Sequence, residues 1–167
     1  MANKEHLDLV LQGLEAWNKF RRTQPDVRPD LSGADLSGYD FTRMDFTKTD
    51  FTGSDLSDTY MLQANLEEAN LTEANLTEAD IIDANLIKAV LTSAKLFMTD
   101  LSGTGMVRAN LEGADLSKAN MTRTALPWGI LRECKLIGAN LKMSDLREAD
   151  LTNADLSQAN LQDASLT

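Results

Sequence analysis

An apolar residue stands at every fifth position from Leu31 to Leu166 without a miss, through Leu36, Phe41, Phe46, Phe51, Leu56, Met61 and Leu66 to Leu156 and Leu161. On an α-helix a five-residue step turns each side chain about 140° from the last, so neither a stripe nor a heptad seam forms. On a flat strand, residues five apart face opposite sides, and a long straight strand would expose half of these side chains. What remains is a chain that makes a short extended piece, turns a corner once per pentad in the same sense, and keeps each central residue inside.

The other positions of the pentad agree. Two residues before the central one comes a small residue, as at Ala34, Ala64, Ala69, Ala74, Ala79, Ala84, Ala89 and Ala94, where only a methyl group fits. Between them stands mostly Asp or Asn, as at Asp35, Asp40, Asp45, Asn65, Asn70, Asn75, Asp80 and Asn85. These side chains bond to nearby backbone amides and fix turns. The two residues that follow are mostly polar. A right-angle corner per pentad closes a coil after four pentads, or 20 residues, and two patterns agree with that length. Thr104, Thr124 and Ser144 replace the inward Ala at that spacing, and Leu62 pairs with Ile82 as Ile87 pairs with Val107. The 28 pentads would then make about seven coils, stacked at about 4.8 Å into a rod roughly 30 to 35 Å long.

Repeats such as ADLSG, ANLEE, ANLTE, ADLSK and ADLTN resemble those of the pentapeptide-repeat protein family over residues 30–167, in a form similar to its many cyanobacterial members. The resemblance implies an all-β solenoid, a right-handed quadrilateral β-helix with four pentads per coil. It also bears on activity. Some bacterial members protect DNA gyrase by imitating DNA, and many others have no assigned activity.

The N-terminal segment reads differently. Leu7, Val10, Leu11, Leu14 and Trp17 recur at three- and four-residue spacing over residues 3–22, with Asn3 as N-cap, which predicts one amphipathic helix. Residues 1–24 are thus a capping helix, 25–30 a connector held by Pro25 and Pro29, and 31–167 the repeat domain. Leu7, Leu11, Leu14 and Trp17 are the side chains expected to cover the first coil, whose Phe41, Phe46 and Phe51 are bulky. The pattern runs on to Leu166 with no second capping segment, which predicts a homodimer through the C-terminal coil. Met1–Asp8 carries Lys4, Glu5, His6 and Asp8 where a secretory signal needs an apolar core, and no long apolar run follows. The expectation is a cytoplasmic protein without membrane contact.

The residues offer little chemistry. The one histidine, His6, lies in the helical segment, and the one cysteine, Cys134, fills an inward small-residue slot. Neither a catalytic triad nor a zinc site can be assembled from them, and no glycine-rich phosphate loop occurs. A four-pentad coil stacks Asp30 over Asp50 and Asp35 over Asp55, and the stronger reading of these pairs is as turn residues rather than calcium ligands. No catalytic, metal or cofactor residue is therefore assigned, and the chain is read as a non-enzyme.

Two surface features remain. From Thr49 to Ile87 there are nine acidic residues and no Lys or Arg; Asp58, Glu67, Glu68, Glu73, Glu78 and Asp83 form the outward part of this band. Such a field repels phosphates and disfavours direct binding of nucleic acid, while suiting a DNA-mimicking modulator of a type II topoisomerase. Leu62, Ile82, Ile87 and Val107, in contrast, occupy slots usually held by Ser or Thr, with Tyr60 and Trp128 beside them. They read either as a patch for an unidentified protein partner or as neighbours packing on one another across coils. Presentation of this patch is the principal functional reading and DNA mimicry the alternative. Leu126–Ile130, which contains Pro127, is expected to distort the coil.

Overall fold

The computed structural model describes residues 2–167. Asn3 Oδ1 accepts the backbone N–H groups of Glu5 at 2.9 Å and His6 at 3.3 Å, capping α1, Lys4–Val10. The expected single helix is two. Gly13, at φ 89°, adopts a conformation that residues with a Cβ rarely take, and α2 begins after it and spans Leu14–Thr23. This break changes which residues form the cap. Val10, Trp17, Phe20 and Arg21 are buried and Leu7 is half-buried, whereas Leu11 and Leu14 flank the break and are 43% and 42% exposed.

The first coil has no coil before it, so its outward ladder groups need other partners. The helices supply several. Trp17 Nε1 donates to the Asp45 carbonyl at 2.8 Å, while Asn18 donates to the Arg43 carbonyl at 3.0 Å and accepts the Asp45 N–H at 2.9 Å. Arg21 joins the connector to the coil by donating to the carbonyls of Val27 at 2.7 Å and Thr47 at 2.8 Å. His6 Nδ1 accepts the Asp30 N–H at 3.0 Å. Below them the Trp17 ring meets Phe46 at 5.4 Å, and Phe46 meets Phe51 at 5.1 Å, so the bulky first layer is closed by aromatic contact.

From Asp30 onward each pentad is nearly all corner. The central residue's carbonyl accepts the N–H of the small residue three positions on, as from Ala69 to Leu66 at 3.0 Å and from Ala114 to Leu111 at 2.9 Å. The second turn residue is left-handed, at φ 58° for Glu73 and 57° for Lys88, as a type II turn requires. Only the residue before the central one forms a β-bridge, a parallel one to the residue 20 positions on, from Asp30–Asp50 to Asp145–Ser165.

This register gives four walls, whose bridging columns begin at Asp30, Asp35, Asp40 and Asp45. The central residues from Leu31 to Leu146 are buried in one continuous interior. The bridging Asp and Asn fix the turns as expected: Asp50 Oδ1 accepts the Thr52 N–H at 2.9 Å, and Asn70 donates across coils to Asp50 at 3.2 Å. Inward hydroxyls return their bonds to the backbone, as Thr104 does to Leu101 and Ser144 to Leu141, each at 2.7 Å.

Candidate partner surface

The 20-residue register sorts the outward residues into columns. Leu62 and Ile82 lie on the third wall, and Ile87, Val107 and Pro127 follow one another on the fourth. Trp128 projects from the corner after the fourth wall. Ile82, Ile87 and Val107 are half-buried, consistent with packing across coils, while Leu62 is 38%, Tyr60 54% and Trp128 55% exposed. The expected residues thus form an oblique strip over two walls, and its most exposed members stand at its two ends.

The expected distortion around Pro127 is absent. Gly129 N–H still bonds to the Leu126 carbonyl at 3.2 Å, and the Pro127 carbonyl still accepts from Arg108 at 3.1 Å. The reason lies in the turn. The first turn residue's N–H makes no ladder bond; in many pentads it points to the preceding Asp or Asn, as Ser32 does to Asp30 at 3.0 Å. Pro127 therefore loses nothing, and its fixed φ suits that turn position. Ala125 stands where an Asp or Asn would accept the absent proton. A Cβ at Gly129 would lie 2.8 Å from Leu126 Cγ, so a larger residue there needs the Leu126 side chain to shift.

Gly105 and Ala125 are successive bridge residues on the fourth wall, so neither coil carries a polar turn side chain there. The result is a smooth floor of the half-buried Gly105, Val107 and Ala125, beside a buried Pro127. Arg108 stands at one edge with its guanidinium 5.8 Å from the Trp128 ring centre, a favourable cation–π distance. Arg123 stands at the corner where the next coil enters the wall. A second apolar cluster, missed in the sequence, lies on the second wall. There Phe97 lies 5.4 Å from Lys118 Nζ, Met98 is exposed, and Ile137 follows two coils on. Phe97 and Ile137 occupy the same first-turn slot as Leu62, which was the available signal.

The acidic band takes a different shape from the one its linear run suggests. Glu68, Glu73, Glu78 and Asp83 occupy four successive corners, with Asp58 beneath Glu78 and Glu67 on the fourth wall. The carboxylates girdle the rod instead of lining one face. Lys48 and Lys88, just outside the run, stack on either side of Glu68 at 3.8 and 3.6 Å. Residues 1–87 hold 17 acidic against seven basic groups, and residues 88–167 nine of each. The net charge therefore resides in the half that carries the helices.

The stacked carboxylates behave as turn residues. Bonds from the Ser32 amide and hydroxyl hold Asp30 below the usual carboxylate range, and the Ser57 hydroxyl and amide do the same for Asp55. Cys134 is buried and donates to the Leu111 carbonyl at 2.9 Å. Burial pushes its thiol up to about 12, which removes the thiolate that nucleophilic chemistry needs. Among the described residues no group of His, Cys, Asp and Glu is arranged to hold a metal ion, and no helix is long and apolar enough to cross a membrane.

No curated protein matches the chain. Solved structures do. HetL, a pentapeptide repeat protein involved in heterocyst differentiation regulation from the cyanobacterium Nostoc sp. strain PCC 7120, is 23% identical over 99% of this chain and 94% of its own, with a TM-score of 0.40. A trypsin-treated form of QnrB1, a plasmid-mediated fluoroquinolone resistance protein, is 20% identical over 83% of this chain and 86% of its own, with a TM-score of 0.52. Rfr23 from the cyanobacterium Cyanothece 51142 is 20% identical over 90% of this chain and 97% of its own, with a TM-score of 0.31. At these identities the likeness concerns the fold alone. The pentapeptide repeat pattern itself matches residues 30–63, 61–96, 94–127 and 130–167 in eight copies, and the chain therefore belongs to the pentapeptide repeat family.

Proposed function

We propose that this chain, a stack of about seven coils with the right hand that its family resemblance implies, is a non-catalytic scaffold that holds another protein against the strip of Tyr60, Leu62, Ile82, Ile87, Val107 and Trp128. Trp128 carries the reading. It is 55% exposed in a left-handed position at φ 57°, where a bulky side chain is costly and a glycine or small polar residue would serve the fold better. Exposed tryptophan beside arginine and aliphatic residues is the composition of an interface centre. Affinity capture from the source cell tests this. Wild type is expected to retain a partner that an Ile87→Ser/Trp128→Ser variant loses at an unchanged melting temperature. Equal capture by both would refute the strip.

The acidic excess of residues 1–87 favours a second reading, a DNA-mimicking modulator of a type II topoisomerase such as gyrase. The girdle-like band supports it less, since a duplex presents its phosphates along a rod. A supercoiling assay with neither inhibition nor protection of gyrase would remove it. Leu151, Leu156 and Leu161 are half-exposed, which supports pairing of two copies through those rungs. A monomer by light scattering at high micromolar concentration would count against that pairing.

A further inference from the structure

The floor of the fourth wall lacks a particular atom. In pentad after pentad the first turn residue's N–H is bound by the Oδ1 of the Asp or Asn two positions earlier: Thr42 by Asp40 at 2.9 Å, Ile87 by Asn85 at 3.1 Å, Glu112 by Asn110 at 3.0 Å and Arg147 by Asp145 at 3.2 Å. Val107 is the residue in that slot after Gly105, so no side-chain oxygen reaches it, and its N–H, like those of Leu62, Ile82, Thr92, Phe97, Arg132 and Ile137, finds no acceptor among the described residues; what sets Val107 apart is the pair of arginines beside it. The room for one exists, because a Cβ built on Gly105 meets nothing within 4 Å. A peptide donor left at an accessible surface is a ready site for an incoming acceptor.

The charges around this donor point the same way. Arg108, the next residue, lies against the Trp128 ring and has no carboxylate partner, and Arg123 at the entry to the wall has none either among the described residues. By contrast Arg132 and Arg147 are held by Asp150 at 2.6 Å and Asp145 at 2.7 Å, and Lys88 by Glu68 at 3.6 Å. In a chain of net charge −10, two unpaired arginines flank a stretch of wall that carries no acidic turn residue. The nearest acidic groups along the adjoining columns are Asp83, whose carboxylate reaches over Gly103 at the entry to the Gly105 pentad, and Asp145 and Glu148, one coil beyond.

Resting on the protein-binding reading above, we infer that Gly105, Val107, Arg108 and Arg123 form a carboxylate-recognition subsite for an acidic, apolar segment of the partner. A partner Asp or Glu oxygen takes the position that Asp or Asn Oδ1 holds in the neighbouring pentads and accepts the Val107 N–H. The arginines balance its charge, and an apolar side chain next to it lies on Val107 and the Trp128 ring. Charge-assisted bonds to a carboxylate give this subsite its selectivity, and the floor gives it contact area.

The test selects peptides from a randomised twelve-residue display library on the intact wild-type protein and measures the winners by fluorescence anisotropy. Enrichment of Asp or Glu beside Leu, Ile, Phe or Trp is expected. Gly105→Asp supplies the missing carboxylate internally and should weaken the winners about tenfold or more with the melting temperature unchanged or raised. Gly105→Ala, which leaves the N–H free, should weaken them less, and Arg108→Ser should reduce both affinity and its dependence on salt. Neutral or basic winners that Trp128→Ser abolishes would overturn the carboxylate subsite and leave the protein-binding strip standing. Winners indifferent to both Gly105→Asp and Trp128→Ser, or no enrichment over bare matrix, would overturn both.

Discussion

The third and fourth walls enclose the same interior, yet over the same coils they differ in what they show to solvent. On the third, Asp100 accepts the Ser102 N–H at 2.8 Å, Asn120 donates to Asp100 at 3.1 Å, Asn140 donates to the Thr122 hydroxyl at 2.9 Å, which itself donates to Asn120, and Asn160 donates to Asn140 at 3.2 Å, forming a continuous polar ladder. On the fourth, Gly105 and Ala125 carry nothing of the kind. The fourth-wall turns nevertheless close, with Ala109 N–H on the Met106 carbonyl at 2.9 Å and Gly129 N–H on Leu126 at 3.2 Å. Turn closure comes from the backbone and the buried central residue. The Asp and Asn ladder adds to it, and where the ladder is absent a surface becomes available.

The largest expected effect tests the shared interior. Leu101→Asp on the third wall and Met106→Asp on the fourth each place a charge in a fully buried position and should cost more than about 4 kcal/mol, abolishing the cooperative melt followed by circular dichroism. Folding of one but not the other would mean that the walls do not share a core. Next comes the ladder. Asn120→Ala loses its bonds to Asp100 and to Thr122 and should cost about 1 to 2 kcal/mol in urea titration, whereas Ala125→Asn should change stability by less than about 0.5 kcal/mol.

Acid acts on all four walls alike. The hydroxyl and amide of Thr42 hold Asp40 low, Ser57 holds Asp55 low, and Arg147 does so for Asp145, while Asp150 is lowered to about 2 by Thr152 and Arg132. Because these folded values lie below the unfolded one, their stabilisation is complete above about pH 4 and is lost as pH falls through the folded values. Melting temperature should therefore fall between about pH 4 and pH 2, and Asp40→Asn with Asp55→Asn should flatten that decline. An unchanged acid limb would assign the loss elsewhere. A modest effect of the opposite sign concerns the corners: Glu73→Gly relieves a left-handed residue at φ 58° and should add about 0.5 to 1 kcal/mol.

Much of this was legible in the residues because each pentad position answers to one local constraint. Leu and Phe mark the interior, Ala34 and its successors the tight inward slot, and Asp50 or Asn70 the turn acceptor. What escaped depends on relations across 20 residues or on a single backbone angle. Lys48 and Lys88 lie outside the acidic run and reach Glu68 only once coils stack. Leu11 and Leu14 fit a helical stripe, but Gly13 ends the helix between them. Pro127 reads as a ladder breaker until the N–H it lacks proves to belong to no ladder. Gly105 gave no signal by itself, since a missing side chain is informative only beside the bond it would have made.

The two tryptophans allow the most direct measurement. Trp17 is fully buried where α2 meets the first coil and Trp128 is 55% exposed, so iodide quenching of fluorescence reports on Trp128 alone. The account predicts that a partner captured by the wild-type protein, or a selected acidic peptide, shields this emission at saturation and leaves the buried component unchanged. Bound ligand with undiminished quenching would contradict the assignment of Trp128 and the fourth wall as the surface through which this solenoid works.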